Sequence, residues 1–307
     1  MSDVRAPGGL ASPGTREGVG SEIEGNPAGF DGIEFIEYST RQPQALGQVL
    51  ELIGFRPIAR HRSREVLLYR QGSMNIVINA HGLAKPIDEE METPSIAAVA
   101  FRVRDAAAAY RRAVELGAWP VATHVEVMEL NIPAIHGVGA TRIYLVDRYR
   151  EFSIYSVDFV PIPDVDPAPP AVAGLHWFGL VQYVGQGRQD DWTAFYQELF
   201  GFTALPDEER FGILPKGRIL KSPCANVYLQ LVAPEPGTPD LYGAERLQRI
   251  GLGTSSVSEA VRALRERGVE FYVSENVHID EKGALTRAWL GGVMFELVRD
   301  PPPGPAG

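Results

Sequence analysis

Cysteine is almost missing from this chain: Cys224 is the only one in 307 residues. No intrachain disulfide can form, and a reducing, cytoplasmic setting fits that usage. Long apolar runs are missing too. None approaches the ~20 residues that a bilayer-spanning helix requires, which argues against a membrane role. Basic residues are in deficit, with 29 Lys and Arg against 39 Asp and Glu and a formal charge of −10. Without a basic patch or run there is nothing to hold phosphates, so nucleic acid is not an expected partner. Residues 1–29 lack the apolar stretch of a secretory signal; their Gly, Ser, Pro and charged residues read as a disordered tail.

What is present is a soluble globular composition, 45% hydrophobic and 22% charged, in a chain long enough for two domains with a core each. The stretch Ala173–Phe202, AGLHWFGLVQYVGQGRQDDWTAFYQELFGF, sets the pattern. A short apolar strand leads through a polar, glycine-containing connection into an amphipathic helix. Trp192, Phe195 and Leu199 fall on one helical face, and Gly201 ends it. The same unit recurs. Leu46, Val49, Leu50 and Ile53 share a helical face before Gly54. Asp105 is an N-cap candidate for DAAAAYRRAVELG, which closes at Gly117. SVSEAVRALRERG closes at Gly268.

Four strand–helix–strand copies therefore begin near residues 32, 95, 174 and 247. Strands are expected at FRPIARH, EVLLYRQ, MNIVINAH and FSIYSVDFV, among others. The stretch Val160–Val172 holds five prolines, which cannot donate to a sheet ladder and stiffen the chain into a linker. The expected fold class is α+β: four βαβββ modules paired into two open barrels, their curved sheets forming cups and their helices covering the outside. The expected divisions are a tail at 1–29, a domain at 30–160, a Pro-rich linker at 161–172, a second domain at 173–300, and a tail at 301–307.

The strings RHRSREVLLYRQG, AVAFRVRDAAAAYRRAVELGA, MELNIPAIHGVG and IYLVDRYR closely resemble bacterial members of the 4-hydroxyphenylpyruvate dioxygenase family, within the vicinal-oxygen-chelate superfamily. The resemblance runs from about Gly32 to Arg299. It implies a metal-free, non-catalytic N-terminal domain. It implies a C-terminal domain that holds Fe(II) through two histidines and a glutamate, with a small aromatic α-keto acid chelating the same iron. Members of the family associate as dimers or tetramers, which leaves a homo-oligomer open.

Carried over position by position, the first ligand falls on His176 in GLHWFGL and the third on Glu296 in GVMFELV. The second falls on Arg249 in LQRIGLG, and no histidine lies between His176 and His278. A ferrous site of this type needs two neutral imidazoles and a carboxylate. Arginine is always protonated and has no lone pair to give. Arg249 has two readings: an ion-pair partner for Glu296 in place of the metal, or an anchor for a substrate carboxylate. Setting VYLQLV beside VMFELV puts Gln230 in the pseudo-symmetric place of Glu296. His176, Gln230 and Glu296 would then hold a divalent metal harder than Fe(II).

Three functions stay open. One is a metal-dependent dioxygenase acting on a small aromatic α-keto acid, with a degenerate metal site. The second is an isomerase or lyase of the same superfamily using His176, Gln230 and Glu296. The third is a metal-free, catalytically inactive paralogue that binds a small ligand or a protein. The resemblance favours the dioxygenase; Arg249 argues against it.

Overall fold

The computed structural model describes residues 25–80, 93–122, 130–139, 141–150, 152–207, 217–234, 245–274 and 278–300. The expected tails at 1–24 and 301–307 lie outside the described residues. Residues 25–29, assigned to a tail by composition, are packed. Ala28 and Phe30 are buried, and Asn26 Oδ1 accepts the Phe30 N–H at 2.7 Å.

The N-terminal unit runs β1 (Ile33–Ser39), α1 (Pro43–Ile53), β2 (Arg56–His61), β3 (Val66–Gln71), β4 (Met74–Asn79), β5 (Ser95–Arg102), α2 (Ala106–Glu115), β6 (Ala134–His136), β7 (Arg142–Val146), α3 (Tyr155–Asp158) and β8 (Phe159–Pro161). The C-terminal unit runs β9 (His176–Tyr183), α4 (Gln189–Phe200), β10 (Thr203–Ala204), β11 (Arg218–Lys221), β12 (Tyr228–Val232), β13 (Arg246–Thr254), α5 (Val257–Glu266), β14 (Gly283–Leu285) and β15 (Phe295–Arg299). The sheets share one order. The first is β6-β7-β5-β1-β4-β3-β2, with β8 added beyond β2; the second, read from the same end, is β14-β15-β13-β9-β12-β11-β10. The repeat visible in the sequence is therefore a repeat of sheet topology, and the fold is α+β.

Local chemistry explains the helix limits. In α1, Leu46, Val49, Leu50 and Ile53 are all buried, and Gly54 at φ 116° turns the chain left-handed, a conformation that costs glycine little. In α2, Asp105 accepts the Ala108 N–H at 2.8 Å and caps the first turn.

One correction concerns FSIYSVDFV. Its period-two alternation predicts a strand, but Tyr155–Asp158 is a helical turn and only Phe159–Pro161 pairs, at the edge against β2. The turn buries the adjacent residues Ile154 and Tyr155 in one cluster on the concave face, which a strand would have sent to opposite faces. The Pro-rich stretch runs from the first unit to the second. It is strapped to the N-terminal sheet: Pro167 O accepts from Arg70 Nη1 at 2.9 Å, Pro169 O from the Gly72 N–H at 2.8 Å, and Val172 N donates to Gln71 Oε1 at 2.9 Å.

The helices cover the convex side of each sheet, as expected, but they do not face only water. Residues of α1, α2, α4 and α5 share a single buried cluster with strands of both units. Phe101 lies 5.0 Å from Phe30 and 5.2 Å from Phe200, ring centre to ring centre. Arg267 crosses between the units to the carbonyls of Leu52 and Glu51, at 3.0 and 2.7 Å. The concave faces carry separate, smaller clusters, one around Phe35 and Tyr155 and one around Phe178 and Tyr228.

Because Phe200 fills a core common to both units, Phe200→Ala is expected to cost about 3–5 kcal/mol. Urea unfolding followed by tryptophan fluorescence and far-ultraviolet circular dichroism should show one coincident, lowered transition. Two separated transitions would mean that the units fold independently.

Candidate functional site

The C-terminal cup is built on three adjacent strands. The central strand, β13, lies antiparallel to β9 and parallel to β15, and their register sets Gly179, Gly251 and Glu296 side by side in one row. Arg249, two residues before Gly251, belongs to the same face by the alternation of strand side chains. On the other side of β9, Tyr228 stands opposite Gly179 and Gln230 opposite Val181. The row opens onto a small cavity of about 30 Å³ lined by Phe178, Gly179, Tyr228, Gln230 and Glu296, among others. Phe178 stacks on Tyr228, with ring centres 4.8 Å apart and planes at 18°.

Arg249 and Glu296 form an ion pair, Nε to Oε2, at 2.9 Å; their side chains are 2% and 6% exposed. A buried carboxylate and guanidinium persist together because either alone would carry a desolvation cost of several kcal/mol. The pair does not use the whole guanidinium: among the described residues, Arg249 Nη2 is buried without a hydrogen-bond acceptor. Burial holds the Tyr228 phenol above its usual range, with Asp300 and Cys224 adding to the shift, so its hydroxyl stays protonated.

His176 does not join this pair. It stands opposite Gly253 at the start of β9. Its side chain is 45% exposed, with Nε2 3.0 Å from Asp300 Oδ1 and Nδ1 3.1 Å from Gly174 O. Three residues separate it from Gly179, about 10 Å at the usual rise of a strand. The β9 position that shares a row with Glu296 is Gly179. A side chain there is also blocked, because a Cβ would overlap the carbonyl oxygen of Tyr228.

Gln230 lines the same cavity as Glu296. Glu296 pairs with Gly251, Gly251 with Gly179, and Gly179 with Tyr228. Tyr228 therefore shares the row of Glu296, with Gln230 two positions further along β12. Phe178 lines the cavity, whereas Trp177 and Trp192 belong to the core shared with the helices.

Fe(II) does not fit this donor set. One ligand position carries a cation, another carries no side chain, and only the carboxylate remains. Among the described residues no three His, Cys, Asp or Glu side chains are grouped to hold a metal. Gly179 and Tyr228 are the site residues that reading the sequence missed. The available signal was a glycine in the middle of an apolar eight-residue strand, which marks close approach of another backbone.

Comparison with known proteins gives two family-level matches. Residues 24–160 match the N-terminal domain of hydroxyphenylpyruvate dioxygenase, and residues 175–302 match the glyoxalase/bleomycin resistance protein/dioxygenase superfamily. Hemolysin VllY of Vibrio vulnificus is 34% identical over 271 residues, covering 83% of this chain and 76% of the relative. The 4-hydroxyphenylpyruvate dioxygenase of Pseudomonas aeruginosa is 32% identical over 287 residues, covering 90% of this chain and 80% of the relative. Among solved structures, a xylose isomerase-like TIM barrel/4-hydroxyphenylpyruvate dioxygenase fusion protein superposes with a TM-score of 0.69 at 24% identity. The match covers 95% of this chain and 52% of that one, a likeness of fold.

The buried pair predicts a specific pattern of stabilities. Arg249→Ala leaves Glu296 buried without its cation and is expected to cost about 3–5 kcal/mol in urea unfolding. The double variant Arg249→Met/Glu296→Leu removes both charges and should recover most of that loss. Equal losses in the two proteins would show that packing, not charge, sets the cost.

Proposed function

Because this chain belongs to the 4-hydroxyphenylpyruvate dioxygenase family of the glyoxalase/bleomycin resistance/dioxygenase superfamily, we propose that it is a metal-independent member that binds a small aromatic α-keto acid in its C-terminal cup. The observation that carries this reading is the Arg249–Glu296 pair, which sets a guanidinium where an iron ligand would be needed. The family's chemistry runs through iron, and no step of it is assigned to this chain.

The ligand class rests on what the cup offers. Arg249 Nη2 is a buried donor in want of an acceptor, and a carboxylate oxygen is the strongest acceptor an organic acid brings. The stacked Phe178 and Tyr228 rings line the cavity together with Glu296, the partner of Arg249, and suit an aromatic body. The names of the relatives point the same way, since the Pseudomonas protein is a dioxygenase of 4-hydroxyphenylpyruvate. Once bound, the acid would lie against a neutral ion pair, oriented by one N–H and shielded from water by the aromatic wall.

Two measurements test this. Protein made in iron- and manganese-replete medium is expected to carry no stoichiometric metal, and Arg249→His is expected to gain none, because Gly179 supplies no second donor. Stoichiometric iron together with arylpyruvate-dependent oxygen uptake in the wild type would overturn the proposal. Phenylpyruvate titrated calorimetrically should bind the wild type and bind Arg249→Lys roughly tenfold more weakly. Lysine keeps a cation beside Glu296 but loses the second arm of the fork. Unchanged affinity would remove Arg249 from the binding site.

A further inference from the structure

The N-terminal cup is the larger of the two, about 230 Å³ against about 30 Å³. Its strands repeat the rows of the C-terminal cup. Glu37 pairs with Ala98, and Ala98 with Arg142, as Gly179 pairs with Gly251 and Gly251 with Glu296. Glu37, Ala98 and Arg142 thus form one row across β1, β5 and β7. On the other side of β1, Asn79 stands opposite Ser39.

The Glu37 side chain is 7% exposed. Its Oε1 accepts two hydrogen bonds, from Arg142 Nη2 and Asn79 Nδ2, both at 2.9 Å. Among the described residues none donates to Oε2, and that oxygen is not among the fully enclosed orphan atoms. Glu37 therefore offers a carboxylate oxygen to the cavity it lines. The walls around it are mostly apolar, with Phe35 and Tyr144 in tilted contact at 5.8 Å and Val66, Val77 and Phe159 nearby.

We propose that the N-terminal cup is a binding site for a small neutral phenol, whose hydroxyl donates to Glu37 Oε2 and whose ring lies against Phe35 and Tyr144. The head must be a hydrogen-bond donor, because it meets an ionised acceptor. It must be neutral, because among the described residues the carboxylates and guanidiniums lining the cavity already cancel: Glu37 and Asp158 against Arg64 and Arg142. An ammonium would meet both guanidiniums, and a carboxylate would meet Glu37. A phenolic hydroxyl satisfies the acceptor without adding a charge to a largely apolar space. The body must be flat and apolar to match the aromatic wall. This site is independent of the C-terminal cup, whose ligand needs a carboxylate.

The test is titration of the full-length protein with 4-methylphenol by calorimetry or ligand-observed NMR, beside 4-methylanisole, the methyl ether that lacks the donor. Saturable binding of the phenol is expected, with the ether about tenfold weaker or worse. Glu37→Gln keeps the shape but loses the ionised acceptor, and should weaken the phenol about tenfold while leaving the ether unchanged. Val77→Phe fills the cup with Glu37 intact and should abolish binding of both. Arg249→Lys, which impairs the other cup, should leave both unchanged. The proposal is overturned if the phenol fails to saturate by about 10 mM, if the ether binds as well, or if neither Glu37→Gln nor Val77→Phe alters binding.

Discussion

A guanidinium sealed inside a sheet must have a counter-charge, and in the C-terminal cup that requirement ties β13 to β15 through Arg249 and Glu296. The two strands run parallel with Gly251 opposite Glu296, so Arg249 reaches Glu296 diagonally across the face, and Nε is the atom in contact. The pair holds the middle of the cup where a metal would otherwise have to gather ligands. Gly179 completes the arrangement from the far side by letting β12 close against β9 with no side chain between them.

The N-terminal cup reaches the same electrical balance with the charges exchanged. There the carboxylate, Glu37, comes from β1, the counterpart of β9, and the guanidinium, Arg142, from β7, the counterpart of β15. In the C-terminal cup the guanidinium lies on the central strand β13 and the carboxylate on β15. Each pair leaves one polar atom over, and the leftovers are opposite in kind: an N–H of Arg249 in one cup, an oxygen of Glu37 in the other. One topology, copied twice, thereby presents two recognition chemistries. A shared fold fixes neither of them.

The helices allow this divergence. Their apolar faces meet in a core that belongs to both units, with Phe30, Phe101 and Phe200 in contact and Arg267 bonded across. Stability is concentrated there. The concave faces, with their own small clusters, can exchange ligand-facing residues without disturbing the packing that holds the molecule together.

Much of this was legible in the residues alone. Helical spacing located Leu46, Leu50 and Ile53, the capping Asp105 and the helix-ending Gly54, because each follows from local geometry. The fourfold recurrence announced the repeated module, and the position of Arg249 in its repeat brought it into view beside Glu296. His176 and Gln230 were placed by alignment of strings, and there the strands had the deciding word. Between the pairs Gly251–Gly179 and Leu252–Trp177 one residue of β9, Phe178, has no partner of its own. That bulge breaks the period-two alternation and puts Phe178 and Gly179 together at the cavity, while His176 stays at the strand's end with Asp300. Helix faces and repeat boundaries depend on neighbours along the chain, so the amino-acid order carries them. Which residues stand across from one another depends on register between distant strands, and a one-residue bulge that no local pattern announces is enough to change it.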